Sequence, residues 1–324
     1  MKLQFLIPQY RETEEMIWPL LTSIALQRRL DFSEIGAIIC NDGSDTILSE
    51  SFLAQFPYRI EYIRAPHGGV SAARNICLRQ ATADYVMFCD ADDMFCSTHE
   101  LWQALDSLYK DPCDVLVCDY IEEWATSKQK YTYKTVTEPD HTIHGKIFSR
   151  VFLMEKQIFW NEKLTNIEDN YFCFLVYSEN PKLGQYHYST YMYCNSEGSI
   201  THKLDYNYFS TLDVIKCFVA LIEELLRRGN YNWAQDMLLS VYYKIFFTTN
   251  LEEWQTEERR DLKTKVEQSF KKELLPYWDL YLQTNEEQRV QLYKETKVAI
   301  EYIWHPFIET ISFKDWIEYI RGLT

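Results

Sequence analysis

Asp84-Tyr85-Val86-Met87-Phe88-Cys89-Asp90-Ala91-Asp92-Asp93 joins a short, continuous apolar run to a burst of carboxylates. An apolar run of this length without alternation is the pattern of a strand buried on both faces of a parallel sheet. Ligands of open α/β sheets sit beyond the carboxyl ends of the strands, which is where Asp90, Asp92 and Asp93 stand. In an extended segment Asp90 and Asp92 point the same way. Two such carboxylates suit a hard cation, Mn²⁺ or Mg²⁺, which prefers oxygen ligands and also takes substrate phosphates. The plainer alternative is an acidic turn that merely ends a strand, since Asp is a common turn residue.

The neighbouring stretches extend the pattern. Residues 3–7 read as a first strand, stopped by Pro8. Thr13 fits an N-cap, and Ile17, Leu20, Leu21 and Ile24 share one helical face, with Pro19 arguing for a late helix start. Residues 35–40 read as a second strand that runs into Asn41-Asp42-Gly43-Ser44-Asp45, and residues 59–63 as a third. His67-Gly68-Gly69 then feeds a helix over residues 70–80, and a Gly-rich turn at a helix N-terminus is a ready anion site. There is no G-x-G-x-x-G and no Walker Lys-Ser/Thr, so neither a dinucleotide fingerprint nor a P-loop is supported. A helix over 98–108 and a strand over 115–118 continue the alternation expected of a doubly wound α/β domain.

The totals set bounds. With 324 residues, 47% hydrophobic, one large or two smaller domains are expected. The net charge of −15 argues against a non-specific nucleic-acid binder, though nucleic acid stays open as an acceptor. Nine scattered cysteines with no Cys-x-x-Cys pair read as buried free thiols of a reducing, cytoplasmic compartment. No apolar run approaches the roughly 20 residues of a membrane span, which leaves room for peripheral membrane association.

Four ordered blocks carry a resemblance. Phe5-Leu6-Ile7-Pro8-Gln9-Tyr10-Arg11-Glu12 resembles the opening strand and turn of the inverting family-2 glycosyltransferases of the GT-A fold. Cys40-Asn41-Asp42-Gly43-Ser44-Asp45 resembles that family's Asp-Asp-Gly-Ser block, with Asn in place of the first Asp. Gly69-Val70-Ser71-Ala72-Ala73-Arg74-Asn75 resembles its Gly-x-Ser-x-Ala-Arg-Asn helix start, and Phe88-Cys89-Asp90-Ala91-Asp92-Asp93 its Asp-x-Asp block. The likeness runs from about Met1 to His202. It implies a Rossmann-like, mainly parallel sheet flanked by helices and a nucleotide-sugar donor. It also implies that Tyr10 stacks on the donor base beside Pro8. Glu12 and Asp42 contact the nucleoside, with Asp42 reading a uracil edge, and Arg74 lies near the base and diphosphate. Asp90 and Ala91 face the ribose, Asp92 and Asp90 hold the metal, and His202 reaches the metal or a phosphate. By the same resemblance Asp169, in Asn166-Ile167-Glu168-Asp169-Asn170, is the catalytic base. Read from the sequence alone, Asp169 is also a plausible helix cap.

Between these blocks, Glu122-Glu123 reads as a solvated loop or an acceptor contact. Residues 131–136 read as an exposed antiparallel strand, and His144-Gly145-Lys146 opens a helix through residue 156, with neither His144 nor Lys146 assigned a catalytic part. Residues 185–193 read as a Tyr-rich strand, and Ser196 to His202 resembles that family's segment closing over the diphosphate. Past Leu204 the apolar spacing turns helical, as in Leu212, Ile215, Val219, Ile222 and Leu226 before Gly229. Further helices are expected over 256–275 and 286–304 and after Ser312. The domains are therefore expected at 1–203, the GT-A glycosyltransferase domain, and 204–324, an all-helical domain that can recognise acceptor, form oligomers or buttress.

The expected activity is metal-dependent, inverting transfer of a hexose from a UDP-sugar such as UDP-glucose to a hydroxyl of a glycan or glycoconjugate. A non-glycan acceptor such as modified DNA, a nucleotidyltransferase, and a non-catalytic nucleotide-sugar binding module are the rival readings.

Overall fold

The computed structural model describes residues 2–127, 130–137, 141–195, 206–304 and 311–323. The chain divides into two compact units, Met1–His202 and Lys203–Thr324.

The first unit alternates as follows: β1 (Leu3–Gln9), α1 (Glu14–Ala25), β2 (Ile35–Asp42), α2 (Glu50–Leu53), β3 (Arg59–Ala65), α3 (Val70–Gln80), β4 (Tyr85–Phe88) and β5 (Met94–Phe95). Then come α4 (Glu100–Lys110), β6 (Val115–Ser127), β7 (Lys130–Val136), β8 (Lys146–Ser149), α5 (Arg150–Glu155), α6 (Glu168–Ser178) and β9 (Leu183–Tyr193). The sheet runs β3-β2-β1-β4-β8-β6-β9-β5, with β7 paired to β6. β3, β2, β1 and β4 are parallel to one another, while β8 is antiparallel to both β4 and β6. It is thus a mixed sheet with a parallel half, flanked by helices.

The apolar run of β4 behaves as its composition requires. Val86, Met87 and Phe88 are fully buried, and the Phe88 ring meets Trp160 and Phe172 edge-on at 5.1 and 5.4 Å. Truncating Phe88 to Ala would cost about 3–5 kcal/mol. The carboxylates therefore project from a strand buried in the core, and their positions are fixed by core packing.

Several expectations need correction. β1 continues through Pro8 to Gln9. Leu6 faces β4, accepting from the Cys89 N–H at 3.1 Å. Two residues on, Pro8 faces the same side beyond the end of β4, so its missing N–H breaks no ladder. α1 starts at Glu14 despite Pro19 inside it, and Thr13 does cap it by accepting from Met16 N. The stretch after His144 is β8 followed by the short α5, not one helix. Asp169 does not cap α6. The N-cap position belongs to Ile167, at φ 60°, and Asp169 sits in the first turn. A β-branched residue in the left-handed region costs of order 1–3 kcal/mol.

The second unit holds α7 (Tyr206–Arg227), α8 (Tyr231–Thr249), α9 (Arg260–Ser269), α10 (Trp278–Leu282), α11 (Glu286–Trp304) and α12 (Phe313–Gly322). Gly229, at φ +77°, follows α7, and Ser312 caps α12 by accepting from Asp315 N at 3.1 Å. The expected helix over 256–275 is broken into a 3₁₀ turn, α9, a π-helical turn at Phe270–Leu274 and a second 3₁₀ turn. Among the described residues, no helix is long and apolar enough to cross a membrane. All nine cysteines are free thiols.

Candidate active site

Seven of the residues named from sequence line one cleft of about 440 Å³ at the carboxyl ends of β1, β2 and β4: Pro8, Tyr10, Glu12, Asp42, Asp90, Ala91 and Asp92. That volume suits a small-molecule ligand. Arg74 and Asp169 are not among its lining residues, and His202 lies outside the described residues.

One end of the cleft is open and aromatic. Tyr10 is 36% exposed. Its ring stacks with His67 at 4.8 Å and 26°, and the Arg11 guanidinium lies 4.9 Å from it. The Tyr10 N–H donates to the Glu12 carboxylate at 2.7 Å, which fixes the turn after β1. Asp42 ends β2, and its two carboxylate oxygens accept from Gly68 N and Gly69 N at 2.7 and 2.9 Å. The His67 Nδ1 lies 2.8 Å from the same carboxylate. The anion held by the Gly-Gly turn before α3 is therefore the chain's own Asp42, which ties β2 to the helix start. Gly43 cannot be replaced here: it has φ +72°, and a Cβ would stand 2.4 Å from His67 N.

The other end is a buried charge cluster. Arg74, on α3, is 2% exposed. Its guanidinium donates to Asp90 at 2.7 Å, Glu168 at 3.0 Å and Asp169 at 3.1 Å. Beneath it lies the Trp160 ring at 4.4 Å, itself stacked on Phe172 at 4.3 Å. Asn75 holds the Trp160 segment to α3 through a reciprocal pair of 2.9 Å bonds with the Trp160 backbone. The Arg-Asn pair thus faces inward, and the partners of Arg74 are carboxylates.

His144 completes the cluster. The β4–β8 register pairs Tyr85 with Ser149 and Val86 with Phe148; continued past the strand ends, it sets residue 144 level with residue 90. His144 is stacked on Tyr193 at 4.7 Å. Its Nε2 is 3.6 Å from Asp90 and 3.9 Å from Asp93, and has no hydrogen-bond partner. Asp93 is fully buried and accepts from the Tyr191 hydroxyl at 2.7 Å and Cys194 N at 2.8 Å. It is a strut between β4 and β9.

Burial and charge pull these groups apart. Burial alone would raise the Asp90 pKa, but Arg74 and then His144 outweigh it and hold Asp90 below the ordinary carboxylate range. Burial pushes Asp93 far up. It would lower His144, but Asp90 and Asp93 hold the imidazole above its usual value. Burial, with the neighbouring Asp169 charge, lifts Glu168 to about 7 against the pull of Arg74. Burial also raises Asp169, with Arg74 and His144 opposing. Pairs of carboxylates with divergent pKa values are the mark of assigned acid and base roles.

A divalent cation fits this chemistry. Asp90 and Asp92 both line the cleft. Ligand atoms of Asp90, Asp93 and His144 lie within 4.8 Å of one another, with the His144 Nε2 at ion-pair distance from both carboxylates. Oxygen-rich sets with one imidazole suit Mn²⁺ or Mg²⁺.

His67, Asp93 and His144 were not assigned a part from sequence. Asp93 stood in the quoted run of carboxylates, but only its packing separates it from Asp92. Nothing local marks His67 or His144.

A family model described as glycosyl transferase family 2 matches residues 5–181. The poly(ribitol-phosphate) beta-N-acetylglucosaminyltransferase TarS of Staphylococcus aureus is 22% identical over 261 residues, 76% of this chain and 44% of TarS. The chain thus spans less than half of that relative's length. The crystal structure of TarS 1–349 in complex with UDP-GlcNAc superposes with a TM-score of 0.65 at 18% identity, covering 93% of this chain and 92% of that one. The mannosyltransferase PcManGT of Pyrobaculum calidifontis, in complex with GDP-Man and Mn²⁺, gives 0.51 at 12% identity, covering 94% and 87%. At these identities the structural likeness establishes a shared fold.

Proposed function

The chain belongs to glycosyl transferase family 2, and on that premise we propose that it transfers a sugar from a UDP-linked donor to an acceptor hydroxyl with inversion. The observation that carries the reading is the Arg74 guanidinium, which bridges Asp90 of the donor cleft and Asp169 at 2.7 and 3.1 Å. One buried cation thereby fixes the spacing between the carboxylate that faces the donor and the carboxylate that faces the acceptor.

Tyr10 offers the base a half-open stacking face. Asp42 accepts the imide N–H of uracil on the lone pair left by Gly68, Gly69 and His67. Asp90 takes ribose hydroxyls, with Ala91 too small to block them. Asp92 and Asp90 would hold a divalent cation, which would supply charge neutralisation for the leaving diphosphate. Asp169 accepts the proton of the acceptor hydroxyl, whose oxygen forms the new bond to the anomeric carbon as the bond to the diphosphate oxygen breaks. Its burial raises its basicity, which favours proton transfer near neutral pH. Arg74 keeps Asp169 aimed and limits that rise.

The sugar is a hexose or N-acetylhexosamine. TarS, whose complex holds UDP-GlcNAc, makes that donor the first to test beside UDP-glucose, and its poly(ribitol-phosphate) acceptor directs attention to polyol-phosphate and glycan hydroxyls. The test is a screen of UDP-sugars for hydrolysis with and without Mn²⁺. One UDP-sugar should be cleaved, in a metal-dependent way, without acceptor. UDP binding with no cleavage of any UDP-sugar and no transfer to any glycan would leave only a binding module.

A further inference from the structure

The Asp42 carboxylate is bonded unevenly. Its Oδ1 accepts from Gly68 N at 2.7 Å. Its Oδ2 accepts from Gly69 N at 2.9 Å and also lies 2.8 Å from His67 Nδ1. The same Nδ1 lies 3.1 Å from the Asp42 carbonyl oxygen. A carbonyl oxygen only accepts, so Nδ1 carries the hydrogen and donates to Asp42. A carboxylate offers about four lone-pair sites, two on each oxygen. Among the described residues, Gly69 and His67 fill Oδ2, and Gly68 leaves one site open on Oδ1.

The imidazole is fixed in that place. Its ring stacks on Tyr10 at 4.8 Å, and its Nδ1 is tied to Asp42. Its backbone lies against the turn after β2, where a Cβ on Gly43 would stand 2.9 Å from the His67 Cβ. The side chain is still 60% exposed, and His67 lines the cleft together with Tyr10 and Asp42. An imidazole held this closely to both groups that receive the base bears on which base they accept.

We propose that His67 is a specificity-determining residue that bars guanine by capping Asp42 Oδ2. This rests on the reading of this end of the cleft as the base site. Guanine presents two neighbouring donors, N1–H and the 2-amino group, which match a carboxylate with both oxygens open as two parallel bonds. With Oδ2 closed, the second donor gives up its water and finds no acceptor. Uracil presents one donor, its imide N–H, between two carbonyl oxygens. It needs Oδ1 alone, and the His67 N–H shields its neighbouring carbonyl from the charge on Oδ2.

The test is calorimetry of UDP, GDP and inosine diphosphate on the full chain. Inosine diphosphate has the purine frame and N1–H of GDP without the 2-amino group, so it separates edge from size. His67→Phe keeps a ring for Tyr10 and removes the N–H. It should tighten GDP at least about tenfold, move UDP by less than about threefold, and favour GDP over inosine diphosphate by about tenfold. His67→Ala should shift the GDP-to-UDP ratio in the same direction, which guards against a poor fit of the Phe ring. In His67→Asn an amide N–H can reach Asp42 as Nδ1 does, and the ratio should stay within about threefold of the parental one. A parental ratio in both His67→Phe and His67→Ala overturns the inference. So does equal weakening of all three nucleotides, which would make His67 a buttress. A loss of selectivity in His67→Asn as large as in His67→Phe overturns it too, since selection would then belong to the stack. Tyr10→Ala separates this from the donor reading. Parental UDP affinity there removes the base from this end of the cleft and takes the inference with it. Weakened UDP there, beside an unchanged ratio in the His67 variants, overturns the role of His67 alone.

Discussion

At the proposed base end of the cleft Tyr10 is 36% exposed, while bonds of 2.7, 3.0 and 3.1 Å at the proposed transfer end enclose an Arg74 that is 2% exposed. The first end offers a ligand groups that water already reaches. The second buries Arg74 and His144 and leaves Asp90, Glu168 and Asp169 only partly reached by water, so that each charge depends on the others. Removing a partner from such a buried set costs about 3–5 kcal/mol, because it strands a charge. An exposed stacking residue has no comparable hold on the fold. Substitutions at the base end should therefore appear in donor affinity, and those at the transfer end in turnover or stability.

The largest expected effect lies at the transfer end. Asp169→Asn keeps the shape and loses the proton acceptor, so transfer should fall about 10²–10⁴-fold. UDP affinity should stay within about twofold, which is under 1 kcal/mol. Transfer rates measured beside UDP calorimetry and thermal melts check this. Near-parental turnover would remove Asp169 from the chemistry and leave Glu168 as the next carboxylate to test.

The base end should discriminate nucleobases by about 10² or more in dissociation constant, with UDP preferred to GDP, since a site that pairs one edge rejects an analogue lacking it. Competition between the two nucleotides measures the ratio. A ratio near one would mean that Asp42 serves only the turn it caps.

Asp92 tests where the two ends meet. Asp92→Ala should abolish transfer and weaken UDP by about tenfold in Mn²⁺, with the melting temperature nearly unchanged. If UDP binding to the parent protein is the same with and without Mn²⁺, the cation has no part at this cleft.

The smallest effect is a pH dependence of stability. Glu168 titrates at about 7, above its ordinary 4.5. A carboxyl raised on folding contributes stability that is fully present below its unfolded pKa and is lost as pH rises through its folded one. Between about pH 4.5 and 7 the parent should therefore lose stability that Glu168→Gln does not. The melting temperature of Glu168→Gln relative to parent should rise from pH 5 to pH 8, by about 2–4 °C for each kcal/mol involved. An equal difference at both pH values would show that Glu168 is not raised.

Much of the frame could be read locally. The apolar run before Asp90 became a core strand, buried from Val86 to Phe88, because no polar side chain interrupts it. Thr13 and Ser312 cap their helices because a cap needs only a hydroxyl three residues from an N–H. Gly229 ends α7, and the Gly-Gly turn opens α3. Pro19 misled, because tertiary burial of Ile17, Leu20, Leu21 and Ile24 outweighs one missing hydrogen bond. The single helix read after His144 failed because β8 joins the sheet between β4 and β6, and ladder pairing at that position overrides local helical spacing.

The sequence by itself determined the family, the parallel half of the sheet and the chemical types at the donor cleft. Each of these follows from short-range rules: side-chain period, cap geometry, and residue types at strand ends. The tertiary structure alone decided that Arg74 turns inward to carboxylates 16, 94 and 95 residues away. It alone decided that Asp93 is a strut while Asp92 lines the cleft, and that the antiparallel register of β8 brings His144 level with Asp90. The reason is that charge pairing at these distances along the chain is set by which strands lie side by side. That choice is made by the collapse of the whole apolar core, and no window of sequence contains it.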